Sequence, residues 1–224
     1  MKKYHLDLVY EGDNIVVVNK VAGLPCQGGA GIRTHLLSLL TEKYGVRPHL
    51  LHRLDRETSG LIVVVKGSTP RNKLAAYYKG FQAGSKFYKL LVKGRFLKKQ
   101  FWHLSDRRNR KGKEEQAATF YRVMRSFSRF SYIEAKLGTG REHQIRRDMA
   151  ELGHPILGDD KYGDFTLNKI LRRNVTGAES LYLVAYKLHW TTGTAIHSDL
   201  SGRKFEIPLP QTFQQFLARY NITP

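Results

Sequence analysis

The sequence has little of three things: cysteine, long apolar runs and acidic residues. Cys26 is the only cysteine in 224 residues, which excludes an internal disulfide framework and a zinc site built from several cysteines. No apolar run approaches the roughly 18 residues that a membrane-spanning helix needs. The first residues, MKKYHLDLVYEGD, contain neither the apolar segment of a secretion signal nor an acid-poor targeting pattern. We therefore expect a soluble, cytoplasmic protein.

The shortage of acid is the largest departure from an ordinary composition. Lysine and arginine number 38 against 19 aspartates and glutamates, so the formal charge is +19 and the isoelectric point is near 10.1. An excess of this size indicates a polyanionic partner, either nucleic acid or an anionic membrane surface. The remaining composition is ordinary for a globular protein, with 41% hydrophobic residues. We expect the partner to be nucleic acid and the chain not to act at a membrane.

The order of predicted elements indicates the fold class. Strand patterns and helix patterns alternate irregularly, and several of the strands look connected by hairpins. This arrangement predicts an α+β fold with a mixed, largely antiparallel central sheet flanked by helices. No repeat, low-complexity tract or linker interrupts the chain, so we predict a single domain over residues 1–224. No heptad pattern or exposed apolar helix is evident, and we expect a monomer.

Residues 93–113, KGRFLKKQFWHLSDRRNRKGK, concentrate positive charge in a predicted loop. The segment holds nine lysines and arginines and a single acid, Asp106. A solvated surface loop is one interpretation. The other is an RNA contact, because the aromatic residues Phe96, Phe101 and Trp102 lie among the charges, and this combination suits phosphate binding with base stacking. The candidate phosphate contacts are Lys98, Lys99, Arg107 and Arg108.

The stretch HRLDRETSGL places Asp55 between Arg53 and Arg56, directly before an apolar strand. Neighbouring cations favour the ionised carboxylate, so Asp55 should be charged at neutral pH. An ionised aspartate can act as a nucleophile or base. Most neighbouring arginine–aspartate pairs are structural, however, so the residues alone allow both a catalytic and a structural interpretation. Loops at the ends of buried strands are common places for catalytic groups.

A second polar cluster runs from residue 138 to 164. The stretch REHQIRRDMAELG predicts a helix stopped by Gly153, with Glu142, Ile145 and Met149 on one face. His143, Glu142, His154 and Asp159 could be read as metal ligands. Their spacing fits no zinc motif, so we expect no metal site.

These stretches carry a resemblance to a known family. HRLDRETSGL resembles the catalytic motif of the RluA-type pseudouridine synthases, and GTGREHQIRRDMAELGHPILGD resembles their second long signature. DNIVVVNKVAGL and SKFYKLLVKG resemble the opening motif and the segment of the active-site tyrosine. The similarity extends over about residues 6–217.

The resemblance implies a pseudouridine synthase fold with a catalytic cleft, and isomerisation of uridine to pseudouridine in RNA without a cofactor. It implies that Asp55 is the catalytic aspartate, that Tyr88 stacks on the uracil, and that Arg146 forms a salt bridge with Asp55. Arg53 would enter the RNA stack where the target nucleotide leaves, a step that chemistry on a stacked base requires. His52 would support the loop. The resemblance further implies substrate contacts at Thr58, Arg141, His143 and Gln144.

Some positions depart from the family pattern. Val21 stands where proline is usual, Glu142 where a small hydroxyl residue is usual, and Val184 where histidine is usual. Arg147 and Asp148 replace an apolar residue and a histidine. We expect these changes to alter substrate contacts more than the reaction. No separate RNA-binding module of the S4 kind is expected, so RNA selection should depend on residues 93–113 and on NKILRR at 168–173.

The RNA target is predicted less sharply than the reaction. Large-subunit ribosomal RNA is placed ahead of transfer RNA because the high positive charge suits densely folded RNA. The alternative function is a ribosome-assembly factor that binds RNA with the same fold and does not need catalysis. A nuclease or base-excision glycosylase would need a metal cluster or an activated water, which the sequence does not indicate.

Overall fold

A computed structural model describes residues 4–108, 112–174, 181–193 and 199–222. It divides the chain into two compact units, each assembled from two separate segments. The first unit comprises Met1–Lys86 with Ala185–Ile207, and the second comprises Phe87–Val184 with Pro208–Pro224. The assignment of a single domain over 1–224 stays a prediction. None of the helices described is long and apolar enough to cross a membrane.

Ten strands and five helices are found in the described residues. In chain order they are β1 (Asp7–Glu11), β2 (Ile15–Lys20), α1 (Leu36–Tyr44), β3 (His49–Leu50), β4 (Ser59–Val65), α2 (Arg71–Gln82), β5 (Ser85–Lys93), β6 (Gln100–Arg108), β7 (Glu114–Ser126), β8 (Phe130–Leu137), α3 (Gln144–Glu151), α4 (Phe165–Asn174), β9 (Leu183–His189), β10 (Lys204–Glu206) and α5 (Gln211–Ala218). The predicted α+β class with a mixed, largely antiparallel sheet and flanking helices is confirmed.

The sheet of the first unit is built around β4. Strand β2 pairs with β1 and with β4, β3 also pairs with β4, and all of these pairings are antiparallel. Every residue of β4 is buried. A continuous apolar strand of this kind is typical of a sheet that is covered on both faces. Because β4 starts only a few residues after Asp55, this rigid strand fixes the end of the Asp55 segment.

Gly60, at the start of β4, allows the closest backbone approach in the first unit. Its φ angle is +117°, and a Cβ atom added there would lie 2.3 Å from the carbonyl oxygen of Ala185. No side chain fits that space, so the glycine of HRLDRETSGL is required by packing as well as by conformation.

The second unit contains a sheet in the order β5, β8, β7, β6. Strands β6 and β7 form a long antiparallel hairpin from the pair Gln100–Arg122 to the pair Arg108–Glu114. The buried side chains of α3 include Ile145 and Met149. Helix α5 contributes Phe213, whose ring meets those of Tyr132 and Tyr182 edge-on.

Two predicted elements differ from the structure. The segment 93–113 is not a loop, since residues 100–108 form β6; residues 109–111 lie outside the described residues. The helix predicted from residue 141 begins only at Gln144, because His143 has a left-handed backbone with φ of 51°. Glu142 therefore precedes the helix and does not share a helical face with Ile145 and Met149.

Candidate active site

The Asp55 segment is a short connection between β3 and β4 in the first unit. Its apolar residues Leu51 and Leu54 are buried, and the amide of Thr58 donates to the carbonyl of Asp55 at 3.2 Å. Asp55 itself is half-buried. The segment is thus a tight turn that packs its leucines inward and leaves the carboxylate partly accessible.

Lys20, at the end of β2, binds this turn through a buried ammonium group. Its Nζ donates to the carbonyls of Val21 (3.1 Å), Leu24 (2.9 Å) and Arg56 (3.0 Å), and the residue is 1% exposed. Burial lowers the pKa of Lys20 to about 8, against the attraction of the negative charges nearby, among them Asp55. Sequence reasoning missed Lys20, although its place in NKVAGL could have drawn attention to it.

A pair of hydrogen bonds between Gly23 and Arg56 also joins residues 20–26 to the Asp55 segment. The amide of Gly23 donates to the carbonyl of Arg56 at 2.9 Å, and Nε of Arg56 donates to the carbonyl of Gly23 at 3.1 Å. The thiol of Cys26 donates to the carbonyl of Leu54 at 3.2 Å, and burial raises its pKa, which keeps it neutral. Residues 20–26 therefore form a scaffold along both sides of Asp55. Val21 is exposed, and its carbonyl serves the scaffold without the proline usual there.

His52 is a neutral structural residue of the same turn. Its Nε2 accepts a hydrogen bond from the amide of Val63 at 3.0 Å, and its ring stacks on Phe81 with centroids 4.4 Å apart. Burial, helped by the positive charge of Lys86, lowers the pKa of His52 to about 3. These contacts fix the ring within the turn, and the supporting role that the family resemblance implies for the reaction stays a prediction.

The two other predicted residues of this segment have different surroundings. Arg53 is exposed, as a side chain that reaches into RNA must be. Thr58 is buried, and its hydroxyl has no hydrogen-bond partner among the described residues. The backbone amide of Thr58 closes the turn, and the predicted contact of its side chain with substrate stays a prediction.

Arg146, on α3 of the second unit, is buried and holds Asp159. Its Nε and Nη2 each donate to a different carboxylate oxygen of Asp159 at 2.8 Å. Asp159 also accepts hydrogen bonds from the amides of Lys161 and Tyr162 at 2.8 and 2.9 Å. Burial by itself would raise the pKa of Asp159, but the hydrogen bonds from Arg146 and the two amides outweigh it, and the pKa lies below its usual value. The predicted pairing of Arg146 with Asp55, a residue of the first unit, stays a prediction.

The backbone around Asp159 is fixed by a further side chain. Asn168 of α4 accepts from the amide of Gly158 at 2.9 Å and donates to the carbonyl of Asp159 at 2.9 Å. Nδ1 of His143 lies 3.0 Å from the hydroxyl of Tyr162, whose ring faces the guanidinium of Arg146. Helix α4, which contains the NKILRR segment, thus helps to position Arg146 through Asp159.

Gln144 makes internal hydrogen bonds in the structure, and its predicted contact with substrate stays a prediction. Its amide is buried, with Oε1 accepting from Thr139 Oγ1 and the Arg141 amide, and Nε2 donating to Ala118 and Thr119. This side chain joins the start of α3 to β7. Arg141 is exposed, but its guanidinium already contacts the Glu115 carboxylate at 3.2 Å.

Tyr88 lies in the middle of β5 and is 6% exposed. Its neighbours in the strand, Lys89 and Leu90, are also buried. A buried tyrosine on a rigid strand has few accessible rotamers, which suits a residue that must hold a flat base. Its contact with uracil stays a prediction.

The structure divides the predicted phosphate contacts. Lys98, Lys99 and Arg108 are exposed, whereas Arg107 is 4% exposed and pairs with Asp148 and Glu151 of α3. Asp148 also accepts from the hydroxyls of Thr119 (2.9 Å) and Tyr121 (2.8 Å). In the structure Arg107 is a buried cation of an ion-pair network, and its predicted contact with RNA stays a prediction. Adjacent residues of a strand face opposite sides, but the local sequence does not show whether Arg107 or Arg108 faces inward.

Among the described residues, one group could hold a metal ion by composition. It consists of His103, Asp148 and Glu151, whose ligand atoms lie within 4.8 Å of one another. The guanidinium of Arg107 binds both of these carboxylates, so the group is already an ion-pair network. Of the ligands considered from the sequence, Asp159 is engaged by Arg146, and Nδ1 of His154 lies 2.8 Å from the carbonyl of Lys93.

Comparison with known proteins gives a consistent family. Residues 14–151 match the family model described as RNA pseudouridylate synthase. An uncharacterized RNA pseudouridine synthase of Aquifex aeolicus is 32% identical, over 93% of this chain and 71% of the relative. Ribosomal large subunit pseudouridine synthase D of Borreliella burgdorferi is 31% identical, over 95% of this chain and 68% of the relative. tRNA pseudouridine synthase C of Haemophilus ducreyi is 30% identical, over 83% and 85%.

Solved structures agree on the fold. Human RNA Pseudouridylate Synthase Domain Containing 1 superposes with a TM-score of 0.70, covering 100% of this chain and 99% of that one, at 21% identity. At this identity the likeness concerns the fold and not the substrate.

Proposed function

The chain belongs to the RNA pseudouridylate synthase family and is an RNA pseudouridine synthase; we propose that Asp55 is its catalytic carboxylate and large-subunit ribosomal RNA its target. The observation that carries the catalytic assignment is the setting of Asp55. It lies in the family motif, half-buried, on a turn that Lys20 and Arg56 fix through backbone carbonyls. A carboxylate held in this way keeps its position while the RNA rearranges.

The reaction requires a carboxylate because positive charge develops on the sugar. The bond between N1 of uracil and C1′ breaks, the uracil turns, and C5 forms a bond with C1′. The C5 proton then leaves and N1 gains a proton, so atoms and charge balance. An ionised Asp55 would stabilise the electron-poor C1′ by direct attack or by charge, or would remove a proton from the sugar.

Tyr88 and Arg146 have supporting roles in this proposal. The buried ring of Tyr88 would hold the detached uracil by stacking and assist loss of the C5 proton. Arg146 would pair with the Asp55 carboxylate and hold it in position, while Asp159 fixes the guanidinium by two hydrogen bonds of 2.8 Å. Arg53, which is exposed, would fill the RNA stack after the target nucleotide has flipped out.

Charge supports ribosomal RNA ahead of transfer RNA, while the relatives include enzymes named for each. The Borreliella relative is named for the ribosomal large subunit, and the Haemophilus relative for tRNA. The formal charge of +19 suits a densely folded polyanion. A monomeric state and a cytoplasmic location remain predictions from the sequence.

The test measures tritium release from RNA labelled at C5 of uracil, because only C5–C1′ bond formation expels that hydrogen. Large-subunit ribosomal RNA and total transfer RNA are incubated with the protein in separate reactions. We expect faster release from ribosomal RNA. Release from transfer RNA alone would overturn the proposed target. No release from either RNA or from pre-ribosomal particles would contradict the enzyme and favour the RNA-binding assembly factor.

A further inference from the structure

We propose that the outer face of the β6–β7 hairpin is a stacking site for an unpaired RNA base, with Trp102 as its platform. This inference builds on the proposed function, since it assigns a second RNA contact outside the catalytic residues. It replaces the sequence-based picture of a basic loop at 93–113 with a defined surface on a strand.

Two large apolar side chains of β6 are exposed. Trp102 is 59% exposed and Leu104, on the same face of β6, is 63% exposed. Neighbouring apolar residues with this exposure are uncommon on a soluble surface unless a partner covers them. The other tryptophan of the chain, Trp190, is fully buried. Trp102 is therefore not needed for the interior of the fold in the way that Trp190 is.

Side chains of β6 alternate between packed and exposed positions. Phe101 packs on Phe96 and Tyr121 with ring centroids 5.4 and 5.3 Å away, and buried Arg107 pairs with α3. These residues anchor the strand to its own unit. Trp102 and Leu104 point to the opposite face, so the strand presents them on a fixed support.

The indole of Trp102 lies beside Phe120 and Gly138. Its partner in the β6–β7 register is Phe120, with ring centroids 5.5 Å apart and planes tilted by 56°. On another side lies Gly138, where an added Cβ would come within 3.5 Å of the indole. The indole thus has a neighbouring ring beside it, a glycine backbone at its edge, and most of its surface accessible.

The position along the chain connects this surface to the family signature. Gly138 starts the GTGREHQIR stretch, and its amide donates to the carbonyl of Ala118 at 2.9 Å. Ala118 is the register partner of Leu104. The stacking site and the segment that leads to Arg146 therefore share one backbone framework in the second unit.

Charge identifies the partner as RNA. Residues 98–125 contain nine lysines and arginines against three acids. Exposed Lys136 is the register partner of Phe120, and Lys98 and Lys99 directly precede β6. Aromatic platforms among cations are typical of single-stranded RNA binding, in which bases stack and phosphates meet the charges.

The test uses the two tryptophans as reporters. In the wild-type protein, acrylamide should quench Trp102, and a short single-stranded uridine oligonucleotide should protect it. The Trp102→Phe variant retains only buried Trp190, and its weak quenching should not change with RNA. A fully paired RNA hairpin should protect Trp102 less, because its bases are not available to stack.

Affinity measurements complete the test. Trp102→Ala should weaken binding of the oligonucleotide by about 10-fold, and Trp102→Phe by less, because phenylalanine still stacks. Phe165→Ala is the matched control, since Phe165 is an aromatic residue of the same unit with 57% exposure; it should bind as the wild type does.

Two outcomes would overturn the proposal. One is a wild-type Trp102 that the oligonucleotide does not protect, together with an unchanged affinity in Trp102→Ala. The other is protection of Trp102 at rising protein concentration without RNA, with Trp102→Ala dissociating a dimer, which would make the face a self-association surface. Tritium release by the wild type is recorded in parallel. Release without Trp102 protection would defeat only the stacking site, and protection without release would defeat only the proposed function.

Discussion

The segments that carry Asp55 and Arg146 are held by different kinds of contact. Around Asp55, the buried ammonium of Lys20 binds three backbone carbonyls, one of them that of Arg56. Around Arg146, the contacts are made by side chains: Asp159 binds the guanidinium, and Asn168 donates to the backbone carbonyl of Asp159. The first arrangement fixes the path of a turn, whereas the second fixes the direction of one side chain.

The two segments should therefore tolerate different changes. A turn held through its carbonyls accepts many side chains but depends on backbone geometry and on the single ammonium group. A side chain held through a carboxylate depends on the charge and shape of that carboxylate. Substitutions in each arrangement should have effects of different size, the largest at Gly60.

Gly60→Ala should break the backbone arrangement most severely. The added Cβ would collide with the backbone of Ala185, at a φ angle of +117° that disfavours a side chain. We expect a loss of about 3 to 5 kcal/mol in the free energy of unfolding, measured by urea denaturation. Gly31→Ala is the control, with a positive φ of 72° but nothing within 4 Å, and should cost about 1 kcal/mol. Equal losses would show that space at Gly60 is not decisive.

Lys20→Met should be the next largest change. It keeps the approximate length of the side chain but removes the ammonium donor from the carbonyls of Val21, Leu24 and Arg56, of which Arg56 keeps the bond from the Gly23 amide. We expect a loss of about 2 to 3 kcal/mol in stability, seen in thermal unfolding, together with slower tritium release. Lys66→Met, which removes a partly exposed pairing with Glu11 at 3.3 Å, should cost under about 1 kcal/mol. A Lys20→Met protein with wild-type stability would contradict the role given to the ammonium group.

Asp159→Asn should affect the rate more than the fold. Asparagine can still accept from the amides of Lys161 and Tyr162, but it lacks the charge and the second acceptor oxygen that Arg146 uses. We expect tritium release to slow by about 10- to 100-fold, with a small change in RNA affinity. Asp160→Asn, which changes an exposed neighbour paired with Arg172, should leave the rate unchanged. Equal effects in the two variants would remove Asp159 from the positioning of Arg146.

His52 gives the smallest expected effect, a dependence of stability on pH. Its pKa is about 3 in the folded chain, below the ordinary value of 6.5, so only the unfolded chain binds this proton between those values. The stabilisation is complete above about pH 6.5 and is lost as pH falls toward 3. Wild type should lose about 3 kcal/mol more than His52→Gln between about pH 7 and pH 4. Parallel pH curves would refute the neutral state of His52 in the folded chain.

The sequence predicted the reaction better than the contacts that hold the proposed site in place. Asp55 and Arg146 could be proposed because the family motifs are continuous in sequence. Lys20 was missed because its acceptors are carbonyls, which any residue supplies. The burial of Arg107 was missed because its partner Asp148 is 41 residues away in sequence. The internal hydrogen bonds of Gln144 were missed because they include partners on a distant strand. Contacts of this kind follow from tertiary structure and leave no local pattern.

The most direct test of the account is tritium release by Asp55→Asn, measured on the RNA that the wild type modifies. The amide is close in size to the carboxylate but cannot stabilise positive charge at C1′ or remove a proton. The account predicts no release above background, with thermal unfolding and RNA affinity close to those of the wild type. Release at a rate near that of the wild type would contradict the assignment of Asp55 as the catalytic carboxylate.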